Sequence, residues 1–267
     1  MPAAKKSTAH AVSKCLQKHG SATRARASAW FFKTGPGQYA QGDVFIGVSV
    51  PDQRKVSKHF ADLPLQEIDK LLQSKTHEHR LTGVFILVGQ YRAADPNSKK
   101  ALAKFFLSRR PCINNWDLVD SSAAQILGHH LLGADSAVLY KLADSKNLWD
   151  RRIAIISTAA FIKQGEYRDT LNIAEILLHD THDLIHKAVG WMLREVGNKS
   201  PATEERFLRK YAATMPRTML RYAIEKFPVG KRKTYLGMRA RGTPAAAALC
   251  KNKRRAKTTD PVISPEV

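Results

Sequence analysis

The sequence predicts an all-α protein, a curved stack of antiparallel helical hairpins, and three observations lead there. From about residue 52 the apolar residues recur at helical spacing almost without a break, over roughly 52–61, 65–73, 77–91, 98–109, 116–132, 136–143, 149–163, 168–178, 182–197, 203–213 and 217–226. The connections between these segments are short, which makes consecutive helices antiparallel neighbours. Three blocks also resemble one another, each a basic residue opening a small apolar helix: Arg80-Leu81-Thr82-Gly83-Val84-Phe85-Ile86-Leu87-Val88, Arg152-Ile153-Ala154-Ile155-Ile156-Ser157-Thr158-Ala159-Ala160-Phe161 and Lys187-Ala188-Val189-Gly190-Trp191-Met192-Leu193-Arg194-Glu195-Val196. Their starts lie 72 and 35 residues apart, close to two periods and one period of about 36, a length between those of tetratricopeptide and HEAT-like repeats. Stacked hairpins curve and set equivalent positions on one concave wall. Trp116, Arg152 and Trp191, separated by 36 and 39 residues, are therefore candidates to face one hollow.

Composition narrows the setting. A chain of 267 residues with 43% hydrophobic side chains can build its own core as one large domain or one continuous array. The formal charge of +21 calls for an acidic polyelectrolyte as partner, and nucleic acid is the default. Three widely spaced cysteines, Cys15, Cys112 and Cys250, supply neither a disulfide framework nor a metal quartet, which fits a reducing, intracellular environment. No apolar run approaches the roughly 18 residues of a membrane span. The N-terminus has no apolar signal core, although its acid-free first 28 residues leave a transit-like role open.

Taken in order, residues 1–24 form a basic arm with a short helix around Ala11 to Leu16; Lys5, Lys6, Lys14, Lys18, Arg24 and Arg26 carry the charge of this end of the chain. The loop Thr34-Gly35-Pro36-Gly37-Gln38-Tyr39-Ala40-Gln41-Gly42-Asp43 is a shaped turn rather than a helix, and it lacks the Gly-Lys-Ser/Thr ending of a nucleotide-binding loop. Val44-Phe45-Ile46-Gly47-Val48-Ser49-Val50-Pro51 is the one segment that could pass for a strand, with Pro51 suited to the first turn of the following helix. The repeat domain then occupies residues 25–238. Residues 239–267, with Arg239, Arg241, Lys251, Lys253, Arg254, Arg255 and Lys257, read as a flexible basic tail. With both ends removed the body remains basic.

Chemistry concentrates around Asn115-Trp116-Asp117-Leu118-Val119-Asp120. In a helix starting near Trp116, Trp116 and Asp120 share a face, an aromatic plate beside a carboxylate. Residue chemistry leaves two roles open: Asp120 pairs with an arginine while Trp116 packs between repeats, or the carboxylate stands at an aromatic-walled surface to stabilise a cation. Asp117 competes as the helix cap. Consecutive Arg151 and Arg152 point about 100° apart, so one can reach the groove while the other faces elsewhere, as a phosphate clamp or as an inter-repeat salt bridge. Trp191 fits the core as well as a cleft, and Lys187 beside it can contact a backbone phosphate. The histidines show no metal-ligand spacing, and Cys112 lacks the setting of a reactive thiolate.

The block around Trp116, followed by Leu148-Trp149-Asp150-Arg151-Arg152-Ile153-Ala154 and Lys187-Ala188-Val189-Gly190-Trp191-Met192-Leu193-Arg194-Glu195, resembles the AlkD-type DNA alkylation repair proteins, bacterial DNA glycosylases built from HEAT-like repeats. The loop Phe32-Lys33-Thr34-Gly35-Pro36-Gly37 and the segment Met215-Pro216-Arg217-Thr218-Met219-Leu220-Arg221-Tyr222-Ala223 are similar to the family as well, so the resemblance covers about residues 25–240. It implies a curved solenoid of HEAT-like antiparallel repeats with a concave basic cleft. It also implies a monofunctional enzyme that hydrolyses the N-glycosidic bond of N3- and N7-alkylated purines in duplex DNA without metal, cofactor, lyase step or base flipping.

By that resemblance Trp116, Asp120 and Arg152 take catalytic positions, with Arg152 near a backbone phosphate. Trp191, Lys187, Phe31, Arg151 and Arg80 become the DNA-binding candidates, Phe31 standing where the family often has tyrosine. The expected partner is double-stranded DNA carrying alkylated purines, bound by a monomer in the bacterial cytoplasm, at the nucleoid and away from membranes. Two rivals remain: a noncatalytic HEAT-like binder of bent or branched DNA, and a basic helical scaffold for RNA or a ribosomal partner.

Overall fold

Leu16 and Val12 have no solvent exposure, and they place the first helix, α1 (Ala9–Gln17), inside the core rather than beside it. A computed structural model describes residues 7–238, all-α with no strand among the described residues. The expected tail at 239–267, together with Lys5 and Lys6, lies outside them. Thr8 caps α1 by accepting from the Ala11 N–H at 3.2 Å, and the helix packs on α3 (Val50–His59), α4 (Leu65–Leu72) and α5 (His77–Ala93). Burying two aliphatic side chains of this size contributes roughly 1.5–3 kcal/mol each. α2 (Ala22–Phe31) buries no residue at all.

Five helices follow one another side by side as an inner row: α5, α7 (Trp116–Ser122), α9 (Leu148–Ser157), α12 (Asp183–Lys199) and α14 (Arg217–Ala223). Against them pack α4 and α6 (Pro96–Ser108) on α5, α8 (Ala137–Ala143) and α11 (Arg168–Ile176) on α9, and α13 (Pro201–Tyr211) on α12; α10 (Ala159–Lys163) bridges α9 and α12. Local sequence explains the starts. Asp95 accepts from the Asn97 and Ser98 N–H groups at 2.9 and 3.1 Å just before Pro96, and Asn147 accepts from Trp149 N at 2.8 Å ahead of α9. Gly190 lets α12 and α14 touch, since a Cβ there would lie 2.4 Å from the Met219 carbonyl oxygen.

Three expectations change, and two helices appear that the sequence did not announce. Residues 44–51 are not a strand: their one ladder contact is a bridge from Val44 to Thr76, and the Glu78 carboxylate instead accepts from the N–H groups of Ile46, Gly47 and Val48. A lone apolar run with no partner run cannot satisfy its backbone in a sheet, so a buried side chain does it here. Gly47 is required at this turn, because its φ is +75° and a Cβ would sit 2.1 Å from the Ser21 oxygen. The helix expected over 116–132 widens into a π turn at Ala124–Gly128, where Gly128 N–H donates to Ala123 O five residues back at 2.9 Å. The segment at 149–163 divides at Thr158 into α9 and α10. Finally, α2 and α15 (Val229–Gly237) had no clear apolar stripe; α15 is held by Tyr235, which meets Phe227 edge-on at 5.7 Å.

Candidate active site

Asn115, fully buried, accepts from the Trp116 N–H at 2.8 Å and starts α7, so Asn115 rather than Asp117 is the cap. One turn on, Asp120 is gripped by Arg152 from the neighbouring inner helix: Nε to Oδ1 at 2.9 Å and Nη2 to Oδ2 at 2.8 Å. Arg152 also donates from Nη1 to the Leu184 carbonyl at 2.5 Å, at the start of α12. The guanidinium side chain is 6% exposed and the carboxylate 19%. Burial pushes the Asp120 carboxyl above its ordinary pKa, and the Arg152 charge pulls the other way. A forked, charge-assisted pair of this geometry keeps the Asp120 carboxylate aimed.

Asp120, Arg152 and Trp116 lie at the wall of a cleft of about 1030 Å³. Trp191, Lys187 and Tyr222 complete its inner side, and Trp30, Phe31 and Tyr39 face them from α2 and the loop after it. Trp191 is half-buried and donates from Nε1 to Glu195 at 3.0 Å, so it serves core and cleft together. Lys187 reaches Asp183 at 2.8 Å, and that contact holds its pKa above the ordinary lysine value. Trp30 and Phe31 are 84% and 57% exposed, which is unusual for side chains this large outside a binding surface.

The cleft wall is stiffened from behind. Phe32 stacks on Trp116 with ring centres 5.2 Å apart and planes 11° apart, while Phe31 meets the same indole edge-on at 6.0 Å. Phe32 and Phe45 stack at 5.1 Å, and Phe45 lies over the His77 imidazole at 4.7 Å. His77 Nε2 is 2.8 Å from Asp117, and its Nδ1 is 3.3 Å from Asp43. Burial disfavours charge on this ring, but the two flanking carboxylates together raise its pKa above the usual histidine value.

Two sequence-derived candidates fall outside the cleft. Arg80 is 4% exposed and spent internally, with Nη2 2.6 Å from Asp43 and Nη1 donating to the Ser74 carbonyl at 2.9 Å. Arg151 pairs with Asp180 at 2.6 Å and donates to the carbonyls of Ser145 and Lys146, each at 3.0 Å. Both tie down the turn that precedes their helices. Of the two roles left open for Arg152, the inter-repeat salt bridge is formed: Nε and Nη2 go to Asp120 and Nη1 to the Leu184 carbonyl. Phe32, Tyr39, Asp43 and His77 were missed. Phe32 lay in the conspicuous run Trp30-Phe31-Phe32, but the run itself does not say which ring faces in. Among the described residues, no three His, Cys, Asp or Glu side chains converge as metal ligands do.

An all-α array of packed helices with an aromatic cleft around a gripped aspartate is the class of protein defined so far. The chain belongs to the DNA alkylation repair enzyme family, whose sequence model matches residues 12–227. Membership gives it a role in the repair of alkylated DNA, with DNA as the partner. Its fold is similar to that of a protein from Enterococcus faecalis described as a predicted DNA alkylation repair enzyme, at 17% identity and a TM-score of 0.63 over 80% of this chain and 99% of that one. A weaker similarity, at 15% identity and a TM-score of 0.45, links it to smu.31 from Streptococcus mutans UA159, over 81% of this chain and 96% of that one. No curated protein sequence matches. Among the described residues no helix is long and apolar enough to cross a membrane.

Proposed function

We propose that the protein is a monofunctional DNA glycosylase that hydrolyses the N-glycosidic bond of N3- and N7-alkylated purines in duplex DNA. The observation that supports it is the Asp120 carboxylate, held in a two-pronged grip by Arg152 beside the indole of Trp116 in an open cleft. An alkylated purine is already cationic, so when the bond to the sugar C1′ breaks, its electrons leave with a base that becomes neutral. Positive charge then develops on the sugar. A fixed carboxylate with aromatic faces around it stabilises that charge in the transition state. Water adds its oxygen to C1′ and loses a proton toward Asp120 or solvent, leaving free base and an abasic site.

Arg152 acts through Asp120, as a positioning residue that fixes the carboxylate's direction. The cleft is open on one side rather than a closed base pocket, which suits a substrate whose backbone, not whose base, is gripped, and so suits action without base flipping.

Duplex DNA carrying N7-methylguanine decides it. Wild type is expected to release the base, with strong losses in Asp120→Asn and Trp116→Ala. No release by wild type, or equal release by all three, overturns the glycosylase; salt-sensitive duplex binding without release makes the chain a noncatalytic DNA binder instead.

A further inference from the structure

Trp116 and Asp120 do not border the aromatic cleft alone. On their other flank lies a second hollow of about 410 Å³, bounded by α3 and α5 and closed at its end by Ser121 and Gln125 of the α7 segment. Its character is different. Three cations line it, Arg54 and Lys58 from α3 and Arg92 from α5, all three exposed; the two carboxylates at its edge, Asp117 and Asp120, are paired elsewhere, with His77 and Arg152. Among the described residues none of the three is paired with a carboxylate, although Arg80, Arg151, Arg152 and Arg194 of the inner row are. Two are held in place by uncharged groups: the Arg54 guanidinium lies 4.1 Å from the Phe85 ring centre, and Arg92 Nη2 donates to Gln125 Oε1 at 2.7 Å. Such contacts orient a cation without neutralising it.

The floor between them is Gly89, where a Cβ would meet nothing within 4 Å, so the channel is open down to the α5 backbone.

We propose that this groove is a phosphodiester-binding channel, holding backbone phosphates of the same strand whose sugar faces Asp120. The inference rests on the glycosylase reading for the place of the reacting sugar, and it adds the path of the strand: aromatic contacts on one side of Asp120, phosphate contacts on the other. Uncompensated, pre-oriented arginines beside an open backbone-wide channel are what a polyanion recognises. The aromatic cleft offers base and sugar surfaces, and the groove supplies the salt-dependent part of the affinity.

Unmodified duplex DNA, titrated by fluorescence anisotropy across a range of KCl, tests the channel separately from the chemistry. The triple variant Arg54→Gln/Lys58→Gln/Arg92→Gln is expected to bind more weakly and to reduce the salt slope by about 0.9 for each phosphate it no longer neutralises. Gly89→Leu fills the floor without changing charge and improves helix propensity, so it should also weaken binding while the protein stays folded. A control triple on other faces, Lys70→Gln/Lys141→Gln/Lys210→Gln, should leave the slope near that of wild type. Wild-type binding by Gly89→Leu, or a slope reduction in the control equal to that in the groove triple, overturns the channel. Absence of base release in wild type sinks the glycosylase reading and leaves these binding results standing, so the two failures are distinguishable.

Discussion

Arg80 and Arg152 open two of the three similar sequence blocks, both are almost fully buried, and both grip an aspartate, yet they do different work. Arg80 holds Asp43 together with His77, and these two partners hold the Asp43 carboxyl below its ordinary pKa despite burial. Arg152 is the one arginine on Asp120, and there burial wins and pushes the carboxyl up. The first aspartate is sealed into a network that joins the Thr34–Asp43 loop to α5 and α7. The second keeps an edge toward the cleft. An arginine–aspartate pair at a repeated position is thus sealed into the fold or left facing a cleft according to what else reaches the carboxylate.

The contrast can be broken most forcefully at Arg80. Arg80→Met leaves the Asp43 carboxylate buried without its arginine, and breaking one partner of a buried pair costs about 3–5 kcal/mol. Urea unfolding should show that loss, whereas Arg152→Met should lose less stability and act chiefly on base release. Equal stability losses would mean that Asp120 is as structural as Asp43.

Asp120→Asn comes next. Removing one electrostatic stabiliser of a developing charge lowers rates by about 100- to 1000-fold, so single-turnover base release should fall by that order with the melting temperature little changed. Because its pKa is raised, the acid limb of the wild-type pH–rate profile should lie above the ordinary aspartate value of 3.8. A flat profile down to that value would argue against a catalytic carboxylate here.

A smaller effect separates the two networks by pH. His77 has a raised pKa in the folded protein, so its contribution to stability is complete below the unfolded value of 6.5 and is lost as pH rises through the folded value. Wild type should therefore lose stability above pH 6.5, and His77→Gln should lack that part of the decline. An identical pH dependence in the variant would remove His77 from the account of what stiffens the Trp116 wall. The smallest expected change is in salt dependence: Lys187→Gln, in the cleft, should lower the slope of duplex binding by about 0.9, while Arg151→Gln, tied to Asp180, should leave it unchanged. The opposite order would return Arg151 to the DNA interface.

Most helices from α3 to α14 were legible because an amphipathic stripe is a local signal, written within one or two turns; α5, buried nearly all round from His77 to Val88, was legible as an apolar run instead, and the division of α9 from α10 was not. The shared face of Trp116 and Asp120 was legible for the same reason, being a matter of spacing along one helix. α2 was not, because it buries nothing and so carries no stripe. The π turn after α7 was hidden because its cause, the contact of Gly128 with α9, lies in another repeat; a Cβ at Gly128 would be 2.2 Å from the Ser157 oxygen. Phe32 and His77 were hidden likewise, since stacking partners from residues 32, 45, 77 and 116 meet only in space.

By itself the sequence determined the class of fold, the basic character of the partner surface, and the turn of helix that carries indole and carboxylate together. Tertiary structure decided which arginines are spent and which are free. Charge is a property of the residue, but its availability depends on the carboxylates that other segments bring within about 3 Å, and for Arg80, Arg151 and Arg152 these come from 29 to 37 residues away in the chain.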